Sequence, residues 1–128
     1  MIVADTDVLI DFLEGRPGAQ TVAEALAAGQ LQTTAISCFE VLSGARPAHL
    51  LKAAQTLLDS FLVLPLDSRA AQTAAQVRRE LERSGFGIGM ADSLIAGVVL
   101  LNGGTLLTRN VRHFQRVPHL SLADLANQ

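Results

Sequence analysis

Apolar and polar positions along this chain switch repeatedly between the two-residue beat of strands and the three-to-four-residue beat of helices. Ile2–Ala4 is a short apolar strand, and Thr6–Glu14 follows with apolar residues at helical spacing until Gly15-Arg16-Pro17-Gly18 stops it. Ala19–Ala28 is an alanine-rich helix ended by Gly29, and Leu31–Ala35 suits a strand. Ser37–Ala45 predicts a helix broken at Arg46-Pro47, Ala48–Phe61 another, and Leu62–Leu66 a strand split by Pro65. Ser68–Arg83 is a long helix with a polar face of Arg78, Arg79, Glu80, Glu82 and Arg83. Beyond the glycine-punctuated loop Gly85 to Gly89, the segment Met90–Asn102 is apolar on nearly every side, the mark of a buried helix. Thr105–Thr108 reads as a strand, and a short polar segment leads to a last strand near Leu120–Leu122. Strands alternating with helices predict an α/β fold with a parallel sheet covered on both faces. No repeat, low-complexity tract or linker divides the chain, so residues 1–128 are expected to form a single domain.

Composition narrows the function classes. At 128 residues the chain can build a core without staples, and 49% hydrophobic residues with a mean hydropathy of +0.33 exclude a disordered protein. A net charge of −2 and a pI near 5.8 argue against a dedicated duplex-DNA binder. Five Phe with no Trp or Tyr argue against a single-strand binder that works by base stacking. Any nucleic-acid contact then falls to a metal, to helix N-termini and to the arginines, Lys52 being the one lysine. Cys38 stands alone, which rules out a disulfide framework and a cysteine zinc site. The N-terminus lacks a signal-peptide pattern, and the longest apolar run, Leu94 to Leu101, is too short for a bilayer; a cytoplasmic location away from membranes is expected.

The acids sit at element ends. Asp5 and Asp7 follow the first strand, where an Asp serving as helix N-cap stabilises by about 1 kcal/mol. Glu40 completes Ser37-Cys38-Phe39-Glu40, the spacing of a capping box. Asp92 lies in the first turn of the apolar helix, where the helix dipole stabilises an acid by only ~0.3–1 kcal/mol, too little to hold a carboxylate in apolar surroundings. Thr108 and Asn110 end another apolar strand. In parallel α/β sheets ligand sites form beyond the carboxyl ends of the strands, so these groups share one rim. Two carboxylates about 4 Å apart repel by ~4 kcal/mol at an effective dielectric near 20, so such a cluster predicts a bridging cation. Oxygen donors without Cys or clustered His select Mg²⁺ or Mn²⁺.

Four blocks carry a family resemblance: Ile2-Val-Ala-Asp5-Thr-Asp-Val-Leu-Ile10, Phe39-Glu40-Val-Leu-Ser-Gly-Ala45, Ala91-Asp92-Ser-Leu-Ile-Ala-Gly97 and Leu107-Thr-Arg-Asn110-Val-Arg-His-Phe114. In order and spacing they resemble the PIN-domain ribonucleases, specifically the VapC-type toxins of toxin–antitoxin pairs. The resemblance implies a three-layer α/β/α PIN-like domain with a mostly parallel central sheet. It further implies a Mg²⁺- or Mn²⁺-dependent endoribonuclease that acts as the toxin of a type II system. By motif match Asp5, Glu40 and Asp92 correspond to the acidic metal-site residues, with Thr6, Asp7 and Thr108 in support. Asn110 stands where many PIN domains carry a fourth acid; it can orient a water or a phosphate but adds no charge, which leaves one metal or two open. The implied partners are an RNA substrate, a cognate antitoxin inserted in the active-site groove, and a second copy in a homodimer. Arg109, Arg112 and Arg116 form either a phosphate-gripping strip or a solvated face, and His113 reads as a packed or capping side chain.

Two rival readings remain. Asp5-Thr6-Asp7-Val8 nearly gives the D-x-D-x-[TV] motif of haloacid-dehalogenase-like phosphatases, but Leu9 fills the last place and that chemistry wants a late lysine, for which Lys52 is misplaced. A catalytically weak PIN-like RNA-binding module is the other. Gly85-x-Gly87-x-Gly89 is no dinucleotide loop: Met90 takes the third glycine position and the loop follows a helix.

Overall fold

The computed structural model describes residues 1–124. In chain order the elements are β1 (Ile2–Ala4), α1 (Thr6–Leu13), α2 (Ala19–Ala27), β2 (Leu31–Thr34), α3 (Ala35–Gly44), α4 (Ala48–Leu58) and β3 (Val63–Leu64). Then come α5 (Ser68–Arg83), α6 (Met90–Asn102), β4 (Thr105–Thr108), α7 (Val111–Phe114) and β5 (Ser121–Asp124). The five strands pair in the order β3-β2-β1-β4-β5, every pair parallel. This is the expected three-layer α/β/α arrangement, with a sheet that is parallel throughout the described residues.

Alternation along the central strands divides the core between the two faces. Val3 and its partner Leu106 point to one side, where they pack with α5, α6 and Phe114 of α7. Ala4 and its partner Leu107 point to the other, against Val8 and Leu9 of α1, Val22 of α2, Val41 of α3 and Leu57 of α4. The strand order explains the split. The chain runs from β1 outward through β2 to β3, then returns across β1 to β4; right-handed crossovers in opposite directions put their helices on opposite faces.

Helices α5 and α6 approach very closely. A β-carbon built on Gly97 would lie 2.6 Å from Ala74 Cβ and 2.8 Å from Ala70 O, so only glycine fits there. Alanines at 70 and 74 with Val77 and Leu81 give α5 a narrow buried stripe for this contact. Helix α6 buries Ser93 and Ile95 to Val99, as its all-round apolar sequence predicts.

Boundaries depart from expectation where local chemistry intervenes. Helix α3 starts at Ala35, two residues before the predicted Ser37, because the Thr34 hydroxyl accepts from the Ser37 amide at 3.1 Å and serves as N-cap. Ser37 and Glu40 therefore do not form a capping box, and Glu40 is left for other work. Strand β3 shrinks to two residues, Pro65 having no amide to donate. The segment after Asn110 contains the four-residue helix α7, and the last strand begins at Ser121.

Candidate active site

The strand order reverses between β1 and β4, which opens a crevice beyond their carboxyl ends. Asp5 fills it. Its amide continues the ladder by donating to Leu107 O at 2.9 Å. Its carboxylate accepts from the Thr6 amide at 2.8 Å and from the Thr108 hydroxyl at 2.7 Å, so β1, α1 and β4 all fix one side chain. Thr108 is held in turn, its hydroxyl accepting from the Asn110 amide at 2.9 Å. Asp5 thus does cap α1, yet it is only 6% exposed, and its pKa is pushed up to about 6. Burial is the main cause; the Asp7 charge adds to it, and Asp92 contributes a smaller repulsion that the two hydrogen bonds oppose.

Glu40 reaches the same rim from α3. Its Oε1 accepts from the Thr6 hydroxyl at 2.6 Å, and that hydroxyl lies 2.9 Å from Ser37 Oγ. Thr6 therefore holds both acids, Asp5 through its amide and Glu40 through its side chain. Ser37 is buried and belongs to this relay, although its sequence position reads only as a cap.

Asp92 stands in the first turn of α6 with its side chain 27% exposed. Its Oδ2 is 3.4 Å from His113 Nδ1, and the same ring nitrogen is 2.8 Å from Asn110 Nδ2. His113 is therefore at the site, neither packed in the core nor capping. The sequence offered one signal, a histidine three residues after Asn110 on a segment just beyond a strand end.

Asp7 and Asp11 form a second acidic group on α1. Arg109 bridges them, with Nε 2.6 Å from Asp11 Oδ2 and 4.0 Å from Asp7 Oδ2. Asp11 is 4% exposed and is also approached by Arg16 at 3.5 Å. Burial raises the Asp7 pKa, with Arg109 acting against it, and Asp7 Oδ1 is buried without a hydrogen-bond partner. The three arginines do not make a common strip. Arg109 is committed to carboxylates, Arg116 stacks on Phe86 with its guanidinium 3.6 Å from the ring centre, and Arg112 is exposed. Lys52 lies in a groove with Phe12, Leu26 and His49, which leaves no lysine for phosphatase chemistry at the crevice.

Residues 2–120 match the PIN domain family. The chain belongs to that family. Among curated relatives it is 36% identical over 115 residues to Ribonuclease VapC10 of Mycobacterium tuberculosis, covering 89% of this chain and 86% of the relative. It is 28% identical over 124 residues to the tRNA(fMet)-specific endonuclease VapC of Shigella flexneri, covering 94% of each. Among solved structures it is similar to a chain of the DNA-bound VapBC from Salmonella typhimurium, with a TM-score of 0.84, 26% identity and 97% of each chain covered. Within the PIN family it is thus of the VapC type.

This PIN domain offers oxygen donors suited to a hard divalent cation. Asp5 carries a like-charge and desolvation load that a cation would relieve, and each of its oxygens keeps a lone pair beyond the hydrogen bond it accepts. Among the described residues, however, no group of three or more His, Cys, Asp or Glu side chains is gathered closely enough to hold an ion. The expected triad of Asp5, Glu40 and Asp92 shares a rim without forming a closed cage. Glu40 and Asp92 are both part-exposed on that rim, Glu40 held by the Thr6 hydroxyl and Asp92 beside His113.

Proposed function

We propose that this chain is a Mg²⁺- or Mn²⁺-dependent endoribonuclease, the toxin of a type II toxin–antitoxin pair. The observation that carries the reading is the buried Asp5, fixed from three elements at the sheet's switch point, in a chain 36% identical to a VapC ribonuclease. Asp5, Glu40 and Asp92 would hold the ion. When bound, it supplies positive charge beside the scissile phosphodiester and acidity for the attacking water. Thr6 and Thr108 keep Asp5 oriented, and Thr6 aligns Glu40, which takes the proton of the attacking water. Asn110 contributes a neutral amide where a fourth acid would add charge, so RNA phosphates approach against less repulsion.

The partners follow from the same reading. Similar solved structures are VapBC complexes, which supports a cognate antitoxin. Phe39 and Met90 are 70% and 65% exposed, next in sequence to Glu40 and two residues before Asp92, and give such a partner apolar footholds beside the site. A homodimer and a cytoplasmic location complete the proposal; among the described residues no helix is long and apolar enough to cross a membrane.

The test is incubation of purified protein with structured RNA in Mn²⁺ or Mg²⁺, transfer RNA first because one relative is named for it. Endonucleolytic cuts that disappear with chelator and in Asp5→Ala support the reading. Equal activity of the variant would refute it, and RNA binding without cleavage would favour the RNA-binding module.

A further inference from the structure

We propose that the groove between the end of α5 and the segment after α7 is a subsite for the RNA strand. One nucleotide away from the scissile bond lays its base on the Arg116–Phe86 stack and its phosphate against Arg83. The inference rests on the ribonuclease reading above and adds where the substrate is gripped outside the acidic rim.

The platform is built by a helix end. Helix α5 stops at its cap Ser84, and Gly85 turns the chain with a φ of +82°. The Gly85 amide donates to Glu82 O at 3.1 Å and the Phe86 amide to Leu81 O at 2.8 Å, the paired bonds of a Schellman motif. Phe86 is thereby fixed at its backbone, yet its side chain stays 46% exposed, and the Arg116 guanidinium lies 3.6 Å from its ring centre. Arg116 is set from the other wall. Phe114 and Val117 beside it are buried, and the Val117 amide donates to Phe114 O at 3.0 Å. Stacking orients the guanidinium plane and leaves its N–H edge free. Nucleobases stack on such planes and on aromatic rings alike. One platform serves one base, so the scarcity of aromatics along the chain is no obstacle.

Size and charge suit the same ligand. Glu80, Arg83, Ser84, Phe86, Arg116 and Pro118 line a cavity of about 500 Å³, enough for a nucleotide. Among the described residues the ion pairs engage Arg16, Arg78 and Arg109, which leaves Arg83 and Arg116 without a carboxylate. Glu82 is taken by Arg78 at 3.1 Å, and Glu80 pairs with neither groove arginine, so positive charge prevails there. Position completes the case. Phe86 lies on the loop that leads into α6 and Asp92, and Arg116 follows His113, whose ring is 3.4 Å from Asp92. Both walls of the groove run into the acidic rim, so a strand cut at the rim extends along it.

The experiment uses the full chain and transfer RNA. Cleavage kinetics in Mn²⁺ and fluorescence anisotropy of the labelled RNA in chelator are compared for the wild type, Arg116→Ala, Phe86→Leu, Arg83→Ala and, as a control outside the groove, Arg79→Ala. Arg116→Ala and Phe86→Leu should each raise KM and Kd about tenfold while kcat stays within about twofold. Arg79→Ala should change none of these by more than about twofold. Arg83→Ala should lower the salt dependence of binding by about one ion, whereas Phe86→Leu should weaken binding with that slope unchanged. Cleavage with an unaltered KM in the groove variants, or losses matched by Arg79→Ala, overturns the proposal and leaves the ribonuclease reading standing. RNA held through the groove without being cut does the reverse, and if wild type neither holds nor cuts RNA both fall. Phe86 and Arg116 are exposed, so melting temperatures should not move, and a lost affinity would not reflect a lost fold.

Discussion

Replacing Asp5 by asparagine should stabilise the metal-free protein at pH 8 and destabilise it at pH 4. Asp5 has a folded-state pKa of about 6 against an ordinary value of 3.8. A carboxyl whose pKa rises on folding binds its proton more tightly in the native state, so stability is lost as pH climbs from about 4 through 6. Above that window the ionised, buried group costs roughly 3 kcal/mol, from a shift of about two units at 1.36 kcal/mol each. The asparagine carries no charge and avoids that cost. It also loses something: its amide nitrogen cannot accept from the Thr108 hydroxyl, and disturbing that hydrogen bond costs about 1 kcal/mol at any pH. The variant should therefore be about 1 kcal/mol less stable than wild type at pH 4 and about 2 kcal/mol more stable at pH 8. The difference between those values, roughly 3 kcal/mol, is independent of the hydrogen-bond offset. Urea unfolding in chelator at steps between the two pH values measures it, and at pH 8 the gain corresponds to a melting temperature several degrees higher. Adding Mn²⁺ should erase the advantage by stabilising only the wild type. A stability change of the same size at every pH would show that Asp5 carries no charge burden, and the case for a cation at the crevice would lose its physical basis.

Thr108→Val removes the hydroxyl that donates to Asp5 and accepts from the Asn110 amide, so it should cost roughly 1–3 kcal/mol in urea unfolding and raise the Asp5 pKa in a carboxyl NMR titration. Gly97→Ala forces a methyl onto backbone atoms of α5 that cannot yield, and should lower stability by roughly 1–3 kcal/mol, with thermal melts as the check. Arg109→Ala leaves buried Asp11 with only the longer 3.5 Å contact to Arg16, which should cost roughly 1–3 kcal/mol and raise the Asp7 pKa further; an unchanged urea midpoint would show the bridge to be idle.

Most of this architecture was legible from periodicity. Strands β1 and β4 have apolar centres next to helices with clear stops, β2 is a β-branched stretch behind Gly29, and the apolar α6 could only be a buried helix. What escaped the sequence was set by single hydrogen bonds. Ser37 and Glu40 have the spacing of a capping box, yet Thr34 occupies the cap, and nothing in the local pattern ranks one hydroxyl above another three residues away. Helix α7 is four residues long, too short for periodicity to register. The acids at element ends were legible as a rim because the carboxyl ends of parallel strands share an edge. Their partners were not: Arg109 read as part of a phosphate strip or of a solvated face and pairs with Asp11, while His113 read as structural and faces Asp92. Such pairings depend on how α1, α6 and α7 abut in space, which a residue pattern does not encode.

The hydrogen bond from Thr108 to Asp5 joins residues 103 positions apart. Closing so long a loop comes late in folding, after the local contacts of either half have formed. A ribosome-bound chain would therefore carry Asp5 and Glu40 well before Thr108 emerges, with the crevice still open on its β4 side. Any activity that depends on the finished crevice is withheld until β4 has left the ribosome, a built-in delay between translation and catalysis.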